Sequence, residues 1–530
     1  MTALRRPVLV AVVAVLACTG VLTPAAGAAE IPTGPIPNSS GYTRMPNFVG
    51  ASVPASPVAM ATPPQHPHMV ASSHNNNMHG DSYASDVNSG GPSGNAPAVR
   101  SARYDSTGGE CAGHVFDSSG RLVTVCGTIK GMFLRVYNPA TLGIMGNMFL
   151  GQRASTPEYL LTLRIDKIFT DTSGGAYFYV DDQDRVVLAD PNQKLRVIRI
   201  TDDGSGGVTF GDDHVYDLMP YIEHDCWSLF HQNPTGKCDA VTTVLPDWDG
   251  RYWFITREGK IGTVDPGSGA VAVVDAHEEI QNSFAVDANG VYIVSDTAMY
   301  MFRAGFAGEP VQVWREPYDR GTYQKPSGQL NWGSGTTPTL IGDDLVAITD
   351  NADDMNVVYM DRRETPAGPR TLCTVPTFGA GRSASDNSLI GGELADGSAF
   401  AIVENNFGYK FFLSQIFGNS VPGGVKRIDI SADRNTCSLA WTSDVRVPSS
   451  VSKLSRDTGL VYVYEKPRTA NLVDAWYLTA LDLATGATAW KKLVGTGWSY
   501  DNQWASLTPM PGGKLYAGVF NGLVEVADTP

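Results

Sequence analysis

Ahead of its apolar stretches the chain repeatedly sets small neutral side chains that can both donate and accept hydrogen bonds. Asn282 and Ser283 precede Phe284-Ala285-Val286, Thr336 and Thr337 precede Thr339-Leu340, Asn387 and Ser388 precede Leu389-Ile390, and Asn502 and Gln503 precede Leu507. Thr242 and His114 hold matching places before Val244 and Val115. Amides and hydroxyls of this kind suit sugars, other small polar molecules or bound water. His114 is the titratable member of the set. A general base there needs a partner carboxylate, and Asp386 and Asp501 each stand just before one of the asparagines. The plainer alternative is that these side chains satisfy backbone groups where strands crowd together.

Other chemistry-bearing groups are sparser. His74, His79 and Asp81 lie close in sequence, as do His224 and His231 around Asp225 and Cys226, but neither spacing is a metal signature and no metal is assigned. The chain holds no Gly-x-Ser-x-Gly elbow, no phosphate-binding Gly-Lys-Ser/Thr loop and no His-Glu-x-x-His helix.

The elements that must position these residues are short β segments. From about residue 105 one unit recurs: a polar opening, an apolar strand, a Gly/Asp turn, then a strand rich in Val, Ile, Tyr and Phe. Asn282 to Val286 before Asn289-Gly290 and Val291 to Val294 is one copy, and Asn387 to Ile390 before Asp396-Gly397 and Ala399 to Ile402 is another. Such units return at spacings of roughly 40 to 75 residues. Tight hairpins without helical periodicity favour an all-β propeller of four-stranded antiparallel blades over a solenoid. Eight blades are expected, with seven as the alternative count. The last unit ends at Val524-Glu525-Val526, one strand short, so Val99 to Ala102 are expected to close the ring and protect its open edges.

The most legible hairpin is Tyr477 to Leu493, and within it Ala480-Leu481-Asp482-Leu483-Ala484-Thr485-Gly486-Ala487-Thr488-Ala489-Trp490 resembles the blade motif of the pyrroloquinoline-quinone-type propellers. The resemblance implies that Thr485-Gly486 turns between the third and fourth strands and that Trp490 docks between neighbouring blades. The quinone enzymes of that family also carry adjacent cysteines beside the cofactor, a calcium held by a carboxylate and an amide, and a catalytic Asp. No adjacent cysteines occur here, so quinone chemistry is not expected. Glu404-Asn405-Asn406 and Asp350-Asn351 offer the ligand types for calcium, although asparagine-rich turns are the commoner explanation.

Residues 1–29 read as a signal peptide: Arg5-Arg6, an apolar run from Val8 to Ala17, and small residues ending at Ala28-Ala29. Lipid attachment at Cys18 is the alternative. Without that segment, 37 basic residues stand against 54 acidic ones, a net charge of −17 that repels nucleic acid. The six cysteines after it pair most simply as Cys111 with Cys126, Cys226 with Cys238, and Cys373 with Cys437. Residues 30–104 read as a partly ordered arm rich in Pro, Ser and Asn, with a denser patch from His74 to Tyr83 that packs against the domain at 105–530.

The function expected on these grounds is that of a secreted monomeric propeller whose polar channel mouth binds a small polar molecule, a glycan or a protein. The enzymatic alternative is a secreted carbohydrate-active lyase or hydrolase using His114 with a nearby carboxylate.

Overall fold

The computed structural model describes residues 34–39, 41–71, 75–104, 109–162, 171–228, 231–322 and 324–529; the expected signal peptide and His74 lie outside them. Thirty-two strands form eight antiparallel four-stranded blades, at 110–151, 179–217, 241–275, 285–317, 339–376, 390–443 and 453–496, and at 507–527 with 98–103. In each blade the first strand lies on the inner edge and the fourth on the outer. The expectation of eight four-stranded blades holds. No helix among the described residues is long and apolar enough to cross a membrane.

The hairpins follow from turn chemistry. Asp117, Asp181 and Asp247 each accept the backbone N–H four residues on, from Arg121, Arg185 and Arg251, at 2.9, 2.8 and 2.9 Å. A side chain that closes its own turn in this way makes two-strand reversals cheap in sequence. At the motif hairpin, Asp482 accepts Thr485 N and Oγ1 at 2.9 and 2.7 Å. Gly486 follows at φ +70°, where a Cβ would lie 2.4 Å from the Trp441 ring, so both backbone and space require glycine.

Blades are joined by tryptophans on their fourth strands. Trp490 is fully buried in an apolar cluster with Leu507, Leu515 and Val526 of the eighth blade, and Phe48 of the arm stacks on it at 6.3 Å. Trp441 donates from Nε1 to Leu483 O of the seventh blade at 2.8 Å, and Trp314 does the same to Arg362 O of the fifth at 3.2 Å. The docking role implied for Trp490 therefore recurs in two further blades, whose strands lack the Ala-Leu-Asp signature. All three expected disulfides form, and Cys373–Cys437 ties the outer strands of blades five and six.

Ala98–Arg103 pairs antiparallel with Gly522–Ala527 in register from Ala98 opposite Ala527 to Arg103 opposite Gly522, closing the ring as expected. The segment before it fills the channel. Ser82, Tyr83, Ser85 and Asp86 offer backbone oxygens in turn to Val286, Leu340, Gly391 and Leu454, the inner edges of blades four, five, six and seven, at 2.7 to 3.0 Å. Advancing one blade every one or two residues needs a tight coil, and Ala84 and Asp86 adopt positive φ of 51° and 54° to make it. Upstream, Asn76 accepts Val180 N in blade two and the Asn75 amide donates to His114 O in blade one. The arm is thus an axial plug that ties most of the inner strands together.

Candidate functional site

On one side of the plug the channel opens into a cavity of about 690 Å³. Met78 and His79 of the arm form its floor, the openings of the inner strands supply Asn282, Thr337, Asn387 and Ser388, and Tyr177, Asp386 and Gln503 complete the polar wall. The rim is apolar: Trp498, Phe417 and Leu413 are 48, 65 and 44 % exposed, and Trp498 meets Phe520 edge-on at 5.1 Å. A volume of this size matches one small ligand.

The floor is a network of buried polar groups. His79 Nε2 lies 3.2 Å from Thr337 Oγ1, and its Nδ1 lies 2.9 Å from Ser388 Oγ and 3.4 Å from the Asp86 carboxylate. Ser388 also donates to Asp86, whose other oxygen receives the Lys453 ammonium. Burial pulls that ammonium below the usual lysine range, and Asp86 opposes the shift. The two blades that contribute Thr337 and Ser388 are thereby linked through one imidazole to an aspartate of the plug.

Burial also acts on the carboxyls around the cavity. It pushes Asp386 up to about 8 and Glu404 up to about 7, and it raises Glu110 and Asp501 well above the carboxylate range. Asn387 Nδ2 donates to Glu404 at 2.9 Å and to Ser450 O at 2.8 Å, which fixes the amide orientation. Both oxygens of Asp386 and Oδ1 of Asn387 are enclosed by protein, and the Leu330 backbone N–H and Lys325 work against the burial shift at Asp386.

Among the six residues singled out from sequence, Asn282 and Asn387 border this cavity. Thr336 instead meets Ser334 Oγ at 2.9 Å and accepts the Thr349 N–H, Thr242 donates to Ile255 O, and Asn502 donates to Gly518 O at 2.8 Å. Their neighbours Thr337 and Gln503 face the cavity, as the alternation of side chains along an extended chain dictates. His114 is fully buried, and burial, opposed by the Ser506 backbone, lowers its pKa to about 3. His79, read from sequence as part of the dense patch from His74 to Tyr83, is the imidazole at the cavity.

The calcium candidates do not fit a metal. Asn405 and Asn406 donate to Arg382 O and Val447 O, and Asp350 accepts the Asn356 N–H, so these groups brace turns. Among the described residues no three His, Cys, Asp or Glu side chains gather as metal ligands. His231 pairs with Asp225, and His224 with Asp239 O, within their own loop.

No family model matches the chain. It is 28 % identical over 325 residues to an uncharacterized protein of Archaeoglobus fulgidus, covering 55 % of this chain and 61 % of that one, so the match spans less than two thirds of the relative. Among solved structures it is similar to a europium-containing methanol dehydrogenase, at 10 % identity, 84 % and 90 % coverage and a TM-score of 0.48. It is also similar to BamB from Moraxella catarrhalis, at 13 %, 65 % and 93 %, with a TM-score of 0.38. A third similar structure is virginiamycin B lyase from Staphylococcus aureus, at 7 %, 81 % and 99 %, with a TM-score of 0.37. The architecture is an eight-bladed propeller, as the recurring strand units led us to expect.

Proposed function

We propose that this is an exported propeller that binds one small molecule at the channel mouth, polar where it meets the plug and apolar where it meets the rim. The observation that carries this reading is the cavity of about 690 Å³ with a floor of His79, a wall of Asn282, Thr337, Asn387 and Ser388, and an aromatic rim of Trp498, Trp504 and Phe520. Three disulfides support the extracellular setting. A fragment screen by ligand-observed NMR tests it: fragments compete for a single site, and Thr172→Trp, which fills the mouth from a half-buried wall position, abolishes binding while the fold persists. Binding unaffected by that substitution would move the site elsewhere.

A second reading is favoured by one arrangement. The acid–base role first expected of His114 suits His79 better, because its Nε2 reaches the cavity-bordering Thr337 hydroxyl and its Nδ1 is held by Ser388 and Asp86. A base oriented through its other nitrogen by a carboxylate is the arrangement that activates hydroxyls for lyase or hydrolase chemistry.

A further inference from the structure

We propose that the small molecule held at the channel mouth is a carboxylate, gripped through both of its oxygens by the Arg153 guanidinium. This rests on the reading of the cavity as a small-molecule site and names the chemistry that the site recognises.

Among the described residues, Arg153 is the one lysine or arginine that borders the cavity. It leaves the chain just ahead of the helix Ser155–Thr162, and its Nε donates to Ser173 O at 2.7 Å. Ser173 is itself fixed, because Asp171 accepts its backbone N–H at 3.0 Å and its hydroxyl at 2.5 Å. The guanidinium is thus pinned along one edge by a braced turn. Its Nη1 and Nη2 find no acceptor among the described residues, and neither is enclosed by protein as the unpartnered Nη1 of Arg135 is. Gly127, another wall residue, leaves room beside Nη1: a Cβ there would lie 3.9 Å from it. Burial pulls Arg153 below the usual arginine range, and Asp171 opposes the shift through space while its Oδ1 is spent on Ser173. A partly desolvated cation with open donors is costly, and an anionic acceptor relieves that cost.

With Nε occupied, the free edge of the guanidinium is the Nη1–Nη2 pair. Its two parallel N–H bonds match the two oxygens of a carboxylate, the geometry in which charge and direction add. An alcohol or a neutral amide offers a single acceptor atom and no charge. A phosphate dianion is disfavoured, because Asp171 and Asp474 border the same cavity and repel a second negative charge. The other two acids of the wall leave a single charge unopposed: burial raises Glu110 well above the carboxylate range and Asp386 to about 8, so both carry protons at neutral pH. Met132 stands beside Arg153 at Gly174, and Ile129, Leu413, Phe417 and the Trp498–Phe520 pair supply apolar surface for the body of the molecule.

Calorimetric titration of the full protein at low salt and about pH 7.5 compares 3-phenylpropionate with 3-phenylpropanamide, which has nearly the same shape and no charge. The carboxylate is expected to bind at least about tenfold tighter, and Arg153→Gln to remove that advantage while changing the amide's affinity by less than about twofold. Chemical labelling needs no variant. Phenylglyoxal followed by peptide mass spectrometry is expected to modify Arg153, and saturating 3-phenylpropionate, unlike the amide, to slow that modification by at least about fivefold. Equal binding of the two compounds, an Arg153 that phenylglyoxal leaves untouched, or one that the carboxylate does not protect overturns the proposal and leaves the cavity reading standing. No binding of 3-phenylpropionate up to about 10 mM also overturns it, and the neutral fragments of the NMR screen then decide the cavity reading separately.

Discussion

The Lys453 ammonium donates to the Asp86 carboxylate and, at 2.7 Å, to Met78 O, with both charged side chains 0 % exposed. One partner lies on the axial plug and the other on the inner strand of the seventh blade, so this pair decides whether the plug stays seated.

Removing one member strands the other in a dry channel. Lys453→Met is expected to cost about 3–5 kcal/mol, and Asp86→Asn combined with Lys453→Met to recover most of that. Urea unfolding of the two single variants and the double one checks it; additive losses would deny the coupling.

The closing strand separates backbone from side-chain effects. Arg100 and Glu525 form an ion pair at 2.7 Å across the seam, but Arg100 is 42 % exposed, so Arg100→Ala is expected to cost under about 1 kcal/mol. Deleting residues 98–103 exposes the whole edge of Gly522–Ala527 and is expected to lower the Tm and cause self-association, read by light scattering. A deletion variant as stable and monodisperse as the parent would refute the seam.

Stability is expected to fall as pH rises from about 4 to 8. The folded Asp386 and Glu404 carboxyls hold protons up to about 8 and 7, while the unfolded chain releases them near the ordinary values of 3.8 and 4.5, so the unfolded state gains in this window. Asp386→Asn flattens the slope and raises stability near pH 8, by on the order of a few kcal/mol. His114, held to about 3, stays neutral while the unfolded imidazole protonates below 6.5, so it opposes the two carboxyls between about pH 6.5 and 4 and makes the slope shallower there than between 6.5 and 8. Thermal melts of parent and variant between pH 4 and 8 test the slope; a flat parent profile contradicts it.

If a turnover is found, the two histidines part company. His79→Gln is expected to lower kcat by roughly 10²-fold or more with a shifted pH profile, and His114→Gln to leave kcat within about twofold. The reverse ranking would return the base to blade one.

Hairpins, ring closure and disulfides were legible because each is local or set by pairing rules: an Asp or Gly turn between apolar runs, a missing last strand, an even set of cysteines. The plug's course was not legible, since a segment that gives single backbone oxygens to blades two, four, five, six and seven has no period of its own. Nor was the phase of each strand opening. Thr336 and Thr337 are the same residue type in adjacent places, and which one faces the cavity depends on the neighbouring Ser334 and Thr349, not on composition. His79 was hidden for the same reason as the plug that carries it.

Arg100 and Glu525, partners across the seam, stand 425 residues apart in the chain. During synthesis the first half of that seam emerges early and must wait unpaired while seven blades are made. The ring behaves as a belt whose buckle is fastened last, and until then the nascent chain has an open edge for a chaperone to hold or for a second copy to seize.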